Sequence, residues 1–207
     1  MLVLEWLERL GRLPPEVWLI PPAAIIAVLV GIGLVGRRAR LRRYRAIAAR
    51  TGLSVKPRFV KPSQVHGTYR GRALVMTTAS SRPTWLSWRR TWTMVMVTVE
   101  NPAFVGMKIR RKDVLDRLLR LDTITSGDRE FDRRYLVLSR DAGAATRVVS
   151  DPSLRSSLLQ ADVNTVRLYN ATAHVFYARD ERNPEHAQLL FEASVRLAEA
   201  VDAIRYP

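Results

Sequence analysis

Residues 92–99 read Trp-Thr-Met-Val-Met-Val-Thr-Val, and this stretch decides the fold class. Side chains alternate between the two faces of a strand. Here both sets are rich in apolar residues: Trp92, Met94 and Met96 on one, Val95, Val97 and Val99 on the other. A run that is apolar both ways predicts a central strand covered on both sides. The chain therefore contains a sheet, and the flanking sequence must supply its other strands and its cover.

Working toward the N-terminus, Val65–Tyr69 and Arg72–Thr77 alternate around Arg70-Gly71, a two-residue hairpin signal. Working toward the C-terminus, Phe104–Ile109 reads as a short strand. Arg111–Leu121 reads as a helix with Val114, Leu115, Leu118 and Leu119 on one face. Phe131–Leu138 reads as a strand. Ala142–Val149 and Pro152–Gln160 read as short helices, with Asp151 an N-cap before Pro152. Thr165–Tyr169 and Thr172–Arg179 form a second hairpin around Asn170-Ala171. Pro184–Ile204 is a closing helix capped by Asn183, with Leu190, Ala193, Leu197, Ala200, Val201 and Ile204 as its stripe. Strands and helices in this order predict one α+β domain with a mostly antiparallel sheet over residues 52–207.

Further upstream, Val17–Gly36 (VWLIPPAAIIAVLVGIGLVG) is a run of 20 uncharged residues. At 1.5 Å per residue such a helix spans ~30 Å, the thickness of a bilayer's hydrocarbon core. Pro21 and Pro22 fall near its first turn, and Trp18 falls where an interfacial aromatic would sit. A signal peptide has its positive cluster before the apolar run; here it comes after. The reading is a short extracytoplasmic segment over 1–15, a transmembrane helix over 16–37 and a basic juxtamembrane helix over 38–51. Arg37, Arg38, Arg40, Arg42, Arg43 and Arg45 follow the apolar run at once, so these positive residues place the C-terminal domain in the cytoplasm. Leu2–Leu13 interleaves leucines with charges and reads as a short helix on the outer face. Ala23, Ala27 and Gly31 recur every four residues, a spacing that lets two membrane helices approach closely. Leu41, Tyr44, Ile47 and Ala48 form a narrow apolar stripe before Gly52 ends the helix.

The charge agrees with this layout. The 207-residue chain carries a formal +15, and residues 37–99 hold 15 basic residues and no acidic one. The remainder is nearly neutral, so the excess reads as topology and lipid-facing polarity. Nucleic acid is not an expected partner. There is no cysteine, which excludes disulfides, thiolate zinc sites, iron–sulfur clusters and a cysteine nucleophile.

Few residue groups point to chemistry. His66, His174 and His186 lie far apart, with no ligand spaced three or four residues away, and read as core or edge histidines. Asp128, Glu130 and Asp132 lie within five residues; the longer pattern of a calcium loop is missing, and a structural turn is favoured over a metal site. No nucleophile elbow, phosphate loop or dinucleotide fingerprint is present. Asn170-Ala171-Thr172 matches a glycosylation acceptor, which a cytosolic domain would never use. The stretch Ser80–Thr91 (SSRPTWLSWRRT) joins two strands and carries Trp85, Trp88, Arg89 and Arg90, the composition of a loop that meets lipid or a partner.

Gly127, Asp128, Phe131, Asp132, Tyr135, Val137, Ser139 and Asp141, followed by Leu158-Leu159, form a spaced signature. It resembles that of a set of bacterial, single-pass, membrane-anchored proteins of unknown function. Gly67-Thr68-Tyr69-Arg70-Gly71-Arg72 is similar to the first hairpin of such domains. The resemblance implies an anchored α+β domain in the cytoplasmic membrane and nothing catalytic.

The expected function is a non-enzymatic, membrane-anchored interaction protein, an accessory or scaffold subunit of a larger membrane complex. The alternative is an anionic-lipid binder or sensor at the cytoplasmic surface. Membrane lipid and other membrane-protein subunits, or a second copy, are the expected partners, and no cofactor is expected. An enzyme built on the Asp128/Glu130/Asp132 cluster is the catalytic rival.

Overall fold

The computed structural model describes residues 15–58, 62–80, 91–119 and 123–204; within these, the side chains of 15–23, 25, 26, 29, 80 and 117–119 are left out of the description. The expected outer-face helix over 2–13 and the Trp85/Trp88/Arg89/Arg90 loop therefore lie outside the described residues, as does the expected end of the helix at Leu121. The chain divides into two compact units, Met1–Arg42 and Arg43–Pro207.

The first unit is helical. Helix α1 (Pro15–Thr51) is unbroken over 37 residues, and its final turns belong to the second unit. Val28, Val30, Ile32, Leu34 and Val35 are exposed. Among the described residues no helix is long and apolar enough to cross a membrane.

The second unit is built on an eight-stranded sheet. Its strands are β1 (Ser54–Lys56), β2 (Gln64–Tyr69), β3 (Arg72–Ser80), β4 (Thr91–Thr98), β5 (Met107–Arg111), β6 (Tyr135–Ser139), β7 (Thr165–Tyr169) and β8 (Thr172–Tyr177). Their order is β1-β2-β3-β4-β8-β7-β5-β6, and every neighbouring pair is antiparallel. Helices α2 (Val114–Leu119) and α3 (Arg129–Arg134) lie between β5 and β6. Helices α4 (Ala142–Val149) and α5 (Pro152–Gln160) precede β7, and α6 (Pro184–Asp202) closes the unit. Arg70 and Gly71 have φ of 48° and 79°, the paired positive values of a tight hairpin turn. Asn170, at φ 48°, turns the second hairpin.

One row of partners crosses the entire sheet: Val55, Val65, Met76, Val95, Val175, Val166, Ile109 and Val137. Seven of the eight are buried, and Val55 packs against them. The helices supply the opposite wall through Leu190, Phe191, Leu197 and Val201 of α6, Ala144 and Val148 of α4, and Leu154 and Leu158 of α5. Tyr44, Ile47 and Ala48 of α1 join the same core, so three of the four residues of the expected stripe are buried there, while Leu41 is half-exposed. The compact unit starts at Arg43, whereas the sequence reading began the domain at residue 52.

Three further readings change. Phe131–Leu138 divides into α3 and β6. Asp128 accepts from the backbone N–H of Glu130 and Phe131 and so starts a helical turn. Phe131 and Tyr135 are four residues apart, a spacing a helical turn also brings together, and their rings lie 4.9 Å apart. The strand expected over Phe104–Ile109 begins only at Met107, because Asn101 and Phe104 take positive φ in the preceding turn. Helix α2 begins at Val114 rather than at Arg111, where the chain is still in β5, and Val114 and Leu115 are exposed. Its inward residue is Asp116, held by a reciprocal cap with Asp113 and by paired hydrogen bonds from Arg110. That ion pair ties α2 to β5; of the expected apolar stripe, the side chains of Leu118 and Leu119 lie outside the described residues.

Candidate functional site

Strand β4 is central, lying between β3 and β8, yet it is covered on one face only among the described residues. Thr93, Val95 and Val97 are buried, whereas Trp92, Met94 and Met96 remain half-exposed. The same asymmetry runs across the sheet. Register places His66, Val75, Met96, His174, Arg167, Lys108 and Leu138 in one outward row. The next row is Gln64, Thr77, Met94, Phe176, Thr165, Arg110 and Leu136. Ion pairing between Arg110 and Asp116 carries α2 on this side at the β5–β6 edge, where Leu136 is buried.

No outward-facing strand residue is acidic, while Lys56, Lys108, Arg110 and Arg167 are basic. Arg110 is bound to Asp116. Arg167 has no carboxylate within ion-pair reach among the described residues; its guanidinium lies over the Phe176 ring at 5.5 Å. His174 stacks on Phe176 at 6.3 Å and meets the edge of Tyr169 at 6.2 Å. Burial, reinforced by the Arg167 charge, pushes the His174 imidazole below its ordinary value, so the ring stays neutral near pH 7. Trp92, Thr165, Arg167 and Phe176 line an open cavity of about 240 Å³. Aromatic and methionine side chains with an available guanidinium, free of carboxylates, suit an apolar ligand that carries negative charge.

The spaced carboxylates serve the fold. Asp128 caps α3 and lies 3.6 Å from Arg155. Asp132 accepts from the backbone N–H of Ser126 at 2.9 Å, and Glu130 is exposed. Tyr135 places its hydroxyl 3.0 and 2.9 Å from the carbonyls of Leu158 and Val163, and burial pushes its pKa up to about 12. Ser139 donates to the Gly106 carbonyl, and Asp141 caps α4. A cavity of about 440 Å³ lies between α3 and α5, lined by Asp128, Glu130, Arg134, Ser156 and Gln160 among others. Arg134 there is bound to Asp162. Among the described residues no group of three His, Asp or Glu side chains is arranged to hold a metal.

Of the expected lipid- or partner-facing residues, Arg38, Arg40, Arg42 and Arg45 are exposed along α1, and Arg37 is half-exposed. Arg43 pairs with Asp180 at 3.7 Å. Trp85, Trp88, Arg89 and Arg90 lie outside the described residues, but their loop leaves the sheet between Ser80 and Thr91, which are register partners. Ala27 and Gly31 are exposed on α1, and the side chain of Ala23 is not described.

Sequence spacing missed the pair formed by His186 and Glu181, which are five residues apart. It also missed the open face. The alternation in 92–96 and 172–176 was visible, but nothing local says that strands about 80 residues apart lie side by side.

No family model and no curated protein matches the chain. Among solved structures, it is similar to the crystal structure of the mycobacterial trehalose monomycolate transport factor A, TtfA. The likeness covers 82% of this chain and 99% of that one, with a TM-score of 0.54 and 14% identity. At that identity it is a likeness of fold.

Proposed function

We propose that this protein is a non-enzymatic, membrane-anchored accessory or scaffold subunit of a larger membrane complex. The observation that carries the reading is the likeness of fold to a protein described as a transport factor, which extends over nearly all of that chain. In this reading the 20 uncharged residues Val17–Gly36, many of whose side chains lie outside the described residues, are the anchor, and Arg37–Arg45 behind them keep the Arg43–Pro207 unit on the cytoplasmic side. The exposed valines, isoleucine and leucine between Val28 and Val35 suit lipid better than water. The signature carboxylates are engaged in caps and backbone contacts, which supports a role without catalysis.

Purification of the full-length chain in mild detergent tests the reading. A membrane-protein partner in fixed stoichiometry is expected, and a clean monomer counts against it. The absence of cysteine gives a clean background for the topology. A cysteine introduced at Val3 is expected to react with an impermeant maleimide in whole cells, and one at Arg140 only after lysis.

A second reading, binding of anionic lipid at the cytoplasmic surface, is favoured by the exposed Arg38, Arg40, Arg42 and Arg45, each contributing roughly 1 kcal/mol near an anionic leaflet. Flotation with neutral and with anionic vesicles separates it; equal binding to both ends it.

A further inference from the structure

We infer that the open face of the sheet holds a ligand site for a small anionic amphiphile: an apolar chain or ring carrying one carboxylate or phosphate. The head is assigned to the cavity of about 240 Å³ between Trp92, Thr165, Arg167 and Phe176. Arg167 supplies a planar pair of donors suited to a carboxylate or phosphate. The guanidinium is held over the Phe176 ring and no carboxylate among the described residues competes for it. Thr165, opposite Phe176 in the ladder, adds a hydroxyl on the cavity wall.

The tail is assigned to the lane beside it. Met94 lies opposite Phe176, and Met96 lies between Val75 and His174 in the next row. These side chains are half-buried and apolar or neutral, the His174 ring included. Methionine fits its thioether around chains of varied shape. Charge complementarity selects the ligand's sign, because the outward strand positions contain basic residues and no acidic one. The cavity also lies at the end of the domain where Arg43 pairs with Asp180, three residues after β8 ends. A bilayer lipid and a free amphiphile share this chemistry, and the experiment below separates them. The site belongs to the Arg43–Pro207 unit alone, so the accessory-subunit reading can fail without it.

The five methionines provide the test. Met94 and Met96 face outward, whereas Met76 and Met107 are buried in the core and report whether the fold persists. Full-length protein labelled with ¹³C at the methionine methyls, in phosphatidylcholine nanodiscs, is titrated with octanoate, octyl phosphate, octanol and inorganic phosphate. Saturable shifts of the Met94 and Met96 methyls are expected with octanoate and octyl phosphate, at an apparent Kd at least tenfold below that for octanol. Arg167→Gln is expected to weaken binding about tenfold, and Arg167→Lys less, with Met76 and Met107 unmoved. If phosphatidylglycerol in the disc shifts Met94 and Met96 with nothing added, the ligand comes from the bilayer; if only the soluble probes do, it is a free amphiphile. Octanol binding as tightly as octanoate, an Arg167→Gln variant with unchanged affinity, or motionless Met94 and Met96 methyls would overturn the site.

Discussion

His186 and Glu181 form an ion pair whose side chains are largely buried. Nδ1 of the ring meets Glu181, Nε2 lies 3.1 Å from the Ala161 carbonyl, and the Tyr177 ring packs at 4.4 Å. Glu181 also accepts from the backbone N–H groups of Arg182 and Asn183. The hydrogen bond to Glu181 raises the imidazole above its ordinary value against the opposing effect of burial, with Asp162 assisting. The hydrogen bond from His186 and the two backbone donors outweigh burial and lower the Glu181 carboxyl. A raised imidazole stabilises the fold fully below its unfolded value of about 6.5, and this is lost as pH rises through the folded value. A lowered carboxyl contributes above its unfolded value of about 4.3 and loses that contribution as pH falls through the folded value. The pair is thus strongest between about pH 4.5 and 6.5. His186→Gln is expected to cost about 1 kcal/mol at pH 6, and less at pH 8.5, by urea denaturation. An equal cost at both values would show that His186 contributes packing alone.

Among the elements, the spaced signature from Gly127 to Asp141 shows how local chemistry sets a chain reversal. Gly127, at φ 81°, takes a conformation that strains other residues. Asp128 then caps α3, Phe131 is buried, and the chain enters β6 at Tyr135. Removing the cap leaves the N–H groups of Glu130 and Phe131 without their acceptor and Arg155 without its carboxylate. Asp128→Ala is expected to lower stability by roughly 1–2 kcal/mol, whereas Asp128→Asn, which keeps an acceptor, costs less. Chemical denaturation of both variants measures this. Equal losses would place the effect in the Arg155 charge pair instead. The signature was legible in sequence as a structural turn at Asp128–Asp132 running into a strand from Phe131. That the turn is a six-residue helix was not, because Phe131, Arg133, Tyr135 and Val137 alternate as a strand would.

For the whole molecule, the boundary at Arg43 matters more than the change in composition after Thr51. Tyr44, Ile47 and Ala48 are buried in the same core cluster as Val65 and Leu74, so the last turns of α1 are part of the domain core. Cutting at residue 52 exposes that core and removes the ion pairs of Arg43 with Asp180 and Arg50 with Glu185. A fragment of residues 52–207 is expected to be less stable than one of 43–207 by about 3–5 kcal/mol, most of it from burial of Tyr44 and Ile47. Urea unfolding of the two fragments checks it, and equal midpoints would show that α1 merely rests on the surface.

By itself the sequence determined the hairpins, the capped helices and the antiparallel α+β class, because these depend on neighbours within a few residues: positive φ at Arg70-Gly71, an acceptor ahead of an amide, apolar residues in register. It also determined the uncharged helix and the block of arginines behind it. Only the tertiary structure decided which face of the sheet is left open among the described residues. That face is assembled by pairing β4 with β8 and β8 with β7, contacts between residues far apart in the chain. Alternation states that a strand has two faces, but the helices' packing on one of them decides which side chains are left to meet a ligand.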